Sequence, residues 1–122
     1  MLEIIPKPLN RGIIPTGSSV ICNPPVLDTD RDYICCVSSL KEAKVILEGV
    51  GFKTSTQDAE EYDIQEDGLF ECYRKDNINF ILTGDFHFYL KWCRATELAT
   101  KLNLLDKEQR ITLFKYVLYD EL

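Results

Sequence analysis

The sequence predicts an α+β fold, a small mixed or antiparallel sheet packed by helices, and three features of the 122-residue chain carry that expectation. The continuous apolar run Tyr33-Ile34-Cys35-Cys36-Val37 reads as a strand buried on both faces. Two strand-like stretches, 69–74 and 78–83, flank Lys75-Asp76-Asn77 and read as a β-hairpin. Apolar residues three and four apart between Leu40 and Val50, Phe88 and Leu102, and Ile111 and Leu118 read as three amphipathic helices. With 45% hydrophobic residues, this length buries one core and is too short for two ordinary domains.

In chain order, residues 1–12 read as an extended arm, with two prolines and only Leu2, Ile4, Ile5 and Leu9 as anchors, ahead of a domain at 13–122. Ile13-Ile14-Pro15-Thr16 is a short strand that Pro15 confines to an edge or a strand end, and Gly17 allows a tight turn. Asn23-Pro24-Pro25 cannot pair as a central strand, so the chain loops back to a strand at 30–37. Ser39 and Glu42 have capping-box spacing at a helix start, and Gly51 ends that helix. A short strand at 52–56 and an acidic, turn-rich loop at 57–67 precede the hairpin. Asp85 and Asp106 are placed to cap the last two helices, which should cover one face of the sheet, one layer of helices on one of strands.

Composition excludes several classes. A formal net charge of −6 repels a phosphate backbone and argues against a general nucleic-acid grip; Lys91, Arg94 and Lys101 read better as a solvated helix face than as a basic patch. No apolar run is long enough to cross a bilayer, and the N-terminus lacks the pattern of a secretion signal, so a cytoplasmic protein is expected. The five cysteines show no zinc spacing and read as reduced, buried thiols. His87 is the single histidine, which leaves no credible Ser-His-Asp or Cys-His arrangement.

The chemistry concentrates between Thr16 and Val37. Residues two apart on a strand share a face, so Asp30 and Asp32 present adjacent carboxylates, and Asp28 lies in the same alternation. A divalent cation between such groups removes their repulsion, and hard oxygen ligands suit Mg2+ or Mn2+. Gly17, Ser18 and Ser19 offer backbone amides and hydroxyls for the phosphates of a nucleotide held by that metal.

Gly17-Ser18, the spacer and Thr29-Asp30-Arg31-Asp32-Tyr33-Ile34 resemble the signature of the nucleotidyltransferase superfamily typified by DNA polymerase beta and the minimal nucleotidyltransferases. The stretch from Arg94 to Phe114 resembles small nucleotidyltransferase-fold proteins encoded by tailed phages. The resemblance spans roughly residues 13–119, with its superfamily motif confined to 17–32. It implies a single-domain nucleotidyltransferase-like fold and metal-dependent transfer of a nucleoside monophosphate from a nucleotide triphosphate to an acceptor hydroxyl. Asp30 and Asp32 would bind the metals, and Gly17 and Ser18 the β- and γ-phosphates.

The family pattern also implies a third carboxylate on a neighbouring strand, and the matching position here is Asn79, which cannot act as a base. Glu71 or Asp85 could substitute. A two-residue turn at Asp76-Asn77 would put Glu71 on the face opposite Asn79, whereas a three-residue loop from Lys75 would put both on one face. Asn23-Pro24-Pro25 also replaces the usual glycine-containing spacer. Two readings follow: a metal-dependent nucleotidyltransferase, or a catalytically impaired, phage-encoded module that binds a host protein or a nucleotide, the host protein through the acidic surface.

Overall fold

The structure is a computed structural model and describes residues 4–23, 30–55, 70–104 and 106–119. Its elements are β1 (Asn10–Thr16), α1 (Ser18–Ile21), β2 (Arg31–Val37), α2 (Leu40–Gly49), β3 (Lys53–Ser55), β4 (Glu71–Lys75), β5 (Ile78–Thr83), α3 (Phe86–Lys101) and α4 (Lys107–Tyr119). The strands form one mixed sheet in the order β1-β2-β5-β4-β3. The apolar run supplies β2, and Ile34, Cys35, Cys36 and Val37 have no exposed surface. Strand β2 pairs antiparallel with β1 and parallel with β5, the one parallel pairing among the described residues.

Both central strands are buried on both faces, and that decides where the helices lie. Cys35, Val37, Tyr73, Phe80 and Leu82 pack with Ala43 and Leu47 of α2. Ile34, Cys36, Cys72 and Ile81 pack on the other side with Phe88, Trp92, Ala95 and Ala99 of α3 and Phe114 and Leu118 of α4. The two helices after the hairpin thus share one face, as the sequence predicts. The expectation of a single helical layer is corrected: α2 covers the opposite face, because two-sided apolar strands must be enclosed on both sides.

Local signals hold at the helix starts. Ser39 Oγ accepts from Glu42 N at 3.2 Å, Asp85 Oδ1 from Phe88 N at 3.1 Å and Asp106 Oδ1 from Gln109 N at 3.1 Å. Helix ends are less regular, since Val50 and Leu102, both expected inward, are 44% and 62% exposed. The N-terminal part is more integrated than an arm: β1 begins at Asn10, and Ile5 and Leu9 are buried against the α2 side of the sheet. The single turn α1 has no counterpart in the sequence reading, being too short to display a period. The acidic loop at 57–67 lies outside the described residues.

The cationic face of α3 is spent locally. Arg94 and Lys101 both pair with Glu97, and Lys91 Nζ donates to the Leu118 carbonyl. No disulfide joins any of the five cysteines. Among the described residues, no helix is long and apolar enough to cross a membrane.

Candidate functional site

The hairpin register fixes the site. Lys75 pairs with Ile78 and Arg74 with Asn79, so the turn is the two-residue Asp76-Asn77, with Asp76 at φ 55. Across the sheet, Asn79 pairs with Asp32 and Asp32 with Thr16. Thr16, Asp32, Asn79 and Arg74 therefore form a row on one face, the face that α3 and α4 cover, at the end where β2 and β5 begin. Asp30, one residue before β2, lies on the same side by alternation. Asp28 lies outside the described residues.

This row brings Gly17, Asp32 and Asn79 together. Gly17 follows Thr16 with φ +80, and a Cβ there would collide with Asp32 Oδ2, so only glycine lets the backbone pass the carboxylate. Ser18 and Ser19 open α1 immediately beyond it. Asn79 Nδ2 donates to Asp32 Oδ1 at 3.1 Å; an ionised carboxylate only accepts, which fixes the orientation of the amide. Asn79 is wholly buried and Asp32 partly so, and a carboxylate at 79 would oppose Asp32 at hydrogen-bonding distance.

Neither proposed replacement for the third carboxylate reaches the site. The two-residue turn puts Glu71 opposite Leu82, on the other face of the sheet, where it accepts a hydrogen bond from the Tyr73 hydroxyl at 3.1 Å. Asp85 follows the far end of β5 and caps α3. His87 is exposed in the first turn of α3.

Sequence reasoning missed Arg74. Its guanidinium forms an ion pair with Asp30, and its Nε donates to Ser55 Oγ of β3 at 3.2 Å. The Arg74 and Asp30 side chains are 24% and 39% exposed, so water screens the pair and its contribution is ~0–1 kcal/mol. The signal was present: a two-residue turn at 76–77 sets position 74 opposite position 79, and position 74 is an arginine.

The Thr16 end is anchored from beneath by a buried polar network. Trp92 Nε1 donates to Thr16 Oγ1 at 3.1 Å, Thr16 Oγ1 lies 2.6 Å from Thr96 Oγ1, and Thr96 Oγ1 donates to the Trp92 carbonyl at 2.9 Å. Beyond α1, Asn23 N donates to Asn103 Oδ1 at 3.1 Å and Arg110 Nη1 to the Leu104 carbonyl at 2.9 Å. The Asn23–Asn103 bond ties the segment after α1 to the turn between α3 and α4, and Arg110 braces that turn from α4.

As a donor set, Asp30 and Asp32 suit one hard divalent cation whose other ligands are water and phosphate oxygens, once Arg74 leaves Asp30. A second cation needs a further carboxylate, and among the described residues no group of three or more His, Cys, Asp or Glu side chains could hold a metal ion.

The mixed five-stranded sheet, with helices on both faces, defines a small α+β domain, an architecture consistent with a nucleotidyltransferase-like fold. The fold is similar to that in the crystal structure of conserved protein GrpB from Enterococcus faecalis, with a TM-score of 0.54 over 98% of this chain and 87% of that chain. Sequence identity is 12%, so the likeness shows a common fold and says nothing about activity. No family model and no curated protein matches the chain by sequence.

Proposed function

We propose that this chain binds a nucleoside triphosphate together with one Mg2+ or Mn2+ ion, and that it binds without transferring the nucleotidyl group. The observation that carries this reading is the placement of Asp32, on the same face as Asp30, against the glycine turn at Gly17. Asp30 and Asp32 would hold the metal, which supplies charge neutralisation at the phosphates when bound. Gly17, Ser18 and Ser19 would meet those phosphates with backbone amides and hydroxyls.

Transfer to an acceptor hydroxyl is the wider activity that the resemblance implies, and it asks for a base beside the metal. Asn79 occupies that position, and an amide takes no proton at neutral pH. Glu71 and Asp85 are turned away from it. The described site therefore favours binding over chemistry. A host-protein partner would rest on the acidic surface, whose six carboxylates between 58 and 67 lie outside the described residues, so the nucleotide is the occupant that the described residues support.

Calorimetric titration of ATP, GTP, CTP and UTP, each without metal, with Mg2+ and with Mn2+, tests the proposal. The expected result is Mg2+-dependent binding of at least one nucleotide, abolished by Asp30→Ala plus Asp32→Ala while thermal unfolding stays cooperative. Absence of binding to all four nucleotides with either metal overturns it. Pyrophosphate release under the same conditions would restore the transferase reading.

A further inference from the structure

We infer that Arg74 is a positioning residue and the site's own counter-cation: it neutralises Asp30 while the site is without nucleotide, and turns to the triphosphate when the metal takes Asp30. The inference rests on the nucleotide-binding reading above, and it assigns a role to a residue that the superfamily motif at 17–32 does not include.

The geometry is specific. Arg74 projects from β4, which is separated from β2 by β5, yet its guanidinium reaches the carboxylate of Asp30 at the start of β2. The side chain thus crosses the strand that carries Asn79 and brings its positive charge to the carboxylate pair, where the phosphates of a metal-bound nucleotide would lie. Asp30 and Asp32 carry two negative charges, Asn79 is neutral, and Arg74 returns one positive charge to the face.

A guanidinium presents a planar fork of donors that fits a phosphate as well as it fits a carboxylate. Its partial exposure leaves it room to change partner, and a screened ion pair is weak enough to be exchanged. Ser55 holds Nε at 3.2 Å, which fixes the stem while the terminal nitrogens re-aim. A bare cation must displace Arg74 from Asp30 with nothing to receive it. A metal–nucleotide complex brings its own acceptor for the arginine, so the site discriminates in favour of the complex.

The test compares wild type, Arg74→Gln and Arg74→Lys in two titrations, Mn2+ alone and the nucleotide found to bind best with Mg2+ present. The inference expects opposite signs. Arg74→Gln should bind Mn2+ alone roughly threefold tighter, because the competing ion pair is gone. The same variant should bind the Mg2+–nucleotide complex about tenfold weaker, because a charge-assisted contact to phosphate is lost. Arg74→Lys keeps the charge without the fork and should show smaller shifts of the same signs, which also covers the case of a poorly folded glutamine variant.

Both affinities falling together, or neither changing, would overturn the inference and leave Arg74 a structural residue. Tighter Mn2+ binding in Arg74→Gln with no nucleotide binding by wild type would overturn the exchange onto phosphate and the nucleotide reading with it. Nucleotide binding by wild type that Arg74→Gln and Arg74→Lys leave intact would overturn the role of Arg74 alone.

Discussion

Trp92 Nε1 donates to Thr16 Oγ1 at 3.1 Å, a buried hydrogen bond that joins the middle of α3 to the last residue of β1, one residue before Gly17. Trp92 is held by its own neighbours, with edge-on contacts to Phe70 and Phe114 at 5.7 and 5.2 Å between ring centroids. The glycine turn that approaches Asp32 is thereby positioned by the core beneath it.

Thr16→Val removes the acceptor and leaves the indole N–H buried without it. Destabilisation of about 1–3 kcal/mol is expected. Thr96→Val should cost a comparable amount, and the double variant less than the sum, because both hydroxyls serve one network. Urea unfolding of the three variants measures this; strict additivity would mean that the hydroxyls act separately.

Gly17→Ala forces a side chain into a φ of +80 and against the Asp32 carboxylate. The expected cost is about 1–3 kcal/mol in stability, with nucleotide affinity falling further than stability explains. The comparison of interest is with Gly49→Ala, whose Cβ would meet nothing within 4 Å and which sits at the end of α2. Equal losses of nucleotide affinity in the two variants would remove Gly17 from the site.

Asn79→Asp places a carboxylate beside Asp32. In the metal-free protein it sets a wholly buried carboxyl group against the partly exposed Asp32, and a loss of about 1–3 kcal/mol is expected at neutral pH. The sign with pH follows from repulsion and burial, which raise the folded pKa of the new group. Its penalty is smallest below the unfolded carboxyl pKa and grows as pH rises through it. Addition of Mn2+ should recover stability in this variant more than in wild type. Thermal melts at acid and neutral pH with and without Mn2+ read both effects, and a variant indifferent to Mn2+ would deny Asp32 and position 79 a common metal.

Burial pushes the Cys35 thiol from 9.0 up to about 12, and the adjoining Cys36 adds to the rise. Burial also raises the Tyr73 and Tyr89 phenols from 10.0 to about 12, with the carboxylate of Glu71 contributing at Tyr73 and Cys93 at Tyr89. Above pH ~9 the unfolded chain releases these protons while the folded chain keeps them, so the unfolded state binds fewer protons and stability falls as pH rises. Stability from these groups is fully present below pH ~9 and lost progressively towards pH ~12. Urea midpoints across the alkaline range should decline accordingly, and Cys35→Ala should flatten the decline in proportion to its share.

Much of this fold was legible because its signals are local. A cap is decided within four residues, so Ser39, Asp85 and Asp106 mark their helices wherever those helices dock. The apolar run at 33–37 announces a strand enclosed on both sides, and the spacing of Phe88, Trp92, Ala95 and Ala99 announces the face of α3 that is buried. The same logic fails at Leu102, which follows the last residue of α3 and is exposed.

The candidate site was legible only in part. Asp30 and Asp32 share a side because alternation along a strand requires it, and Gly17 stands before Ser18 and Ser19 in the sequence itself. That Gly17 meets Asp32 depends on the pairing of β1 with β2, in which Thr16 lies opposite Asp32. Asn79 could be aligned by motif, but its donation to Asp32 depends on the parallel pairing of β2 with β5, 47 residues apart in sequence.

The sequence by itself determined which residue types are available: two alternating carboxylates, a glycine before two serines, and an amide at position 79. Tertiary structure alone decided which of them meet. One residue of hairpin register sent Glu71 to the far face and set Arg74 beside Asn79, within reach of Asp30. Side chains alternate faces along a strand, so a single step in pairing exchanges a carboxylate for a guanidinium at the site.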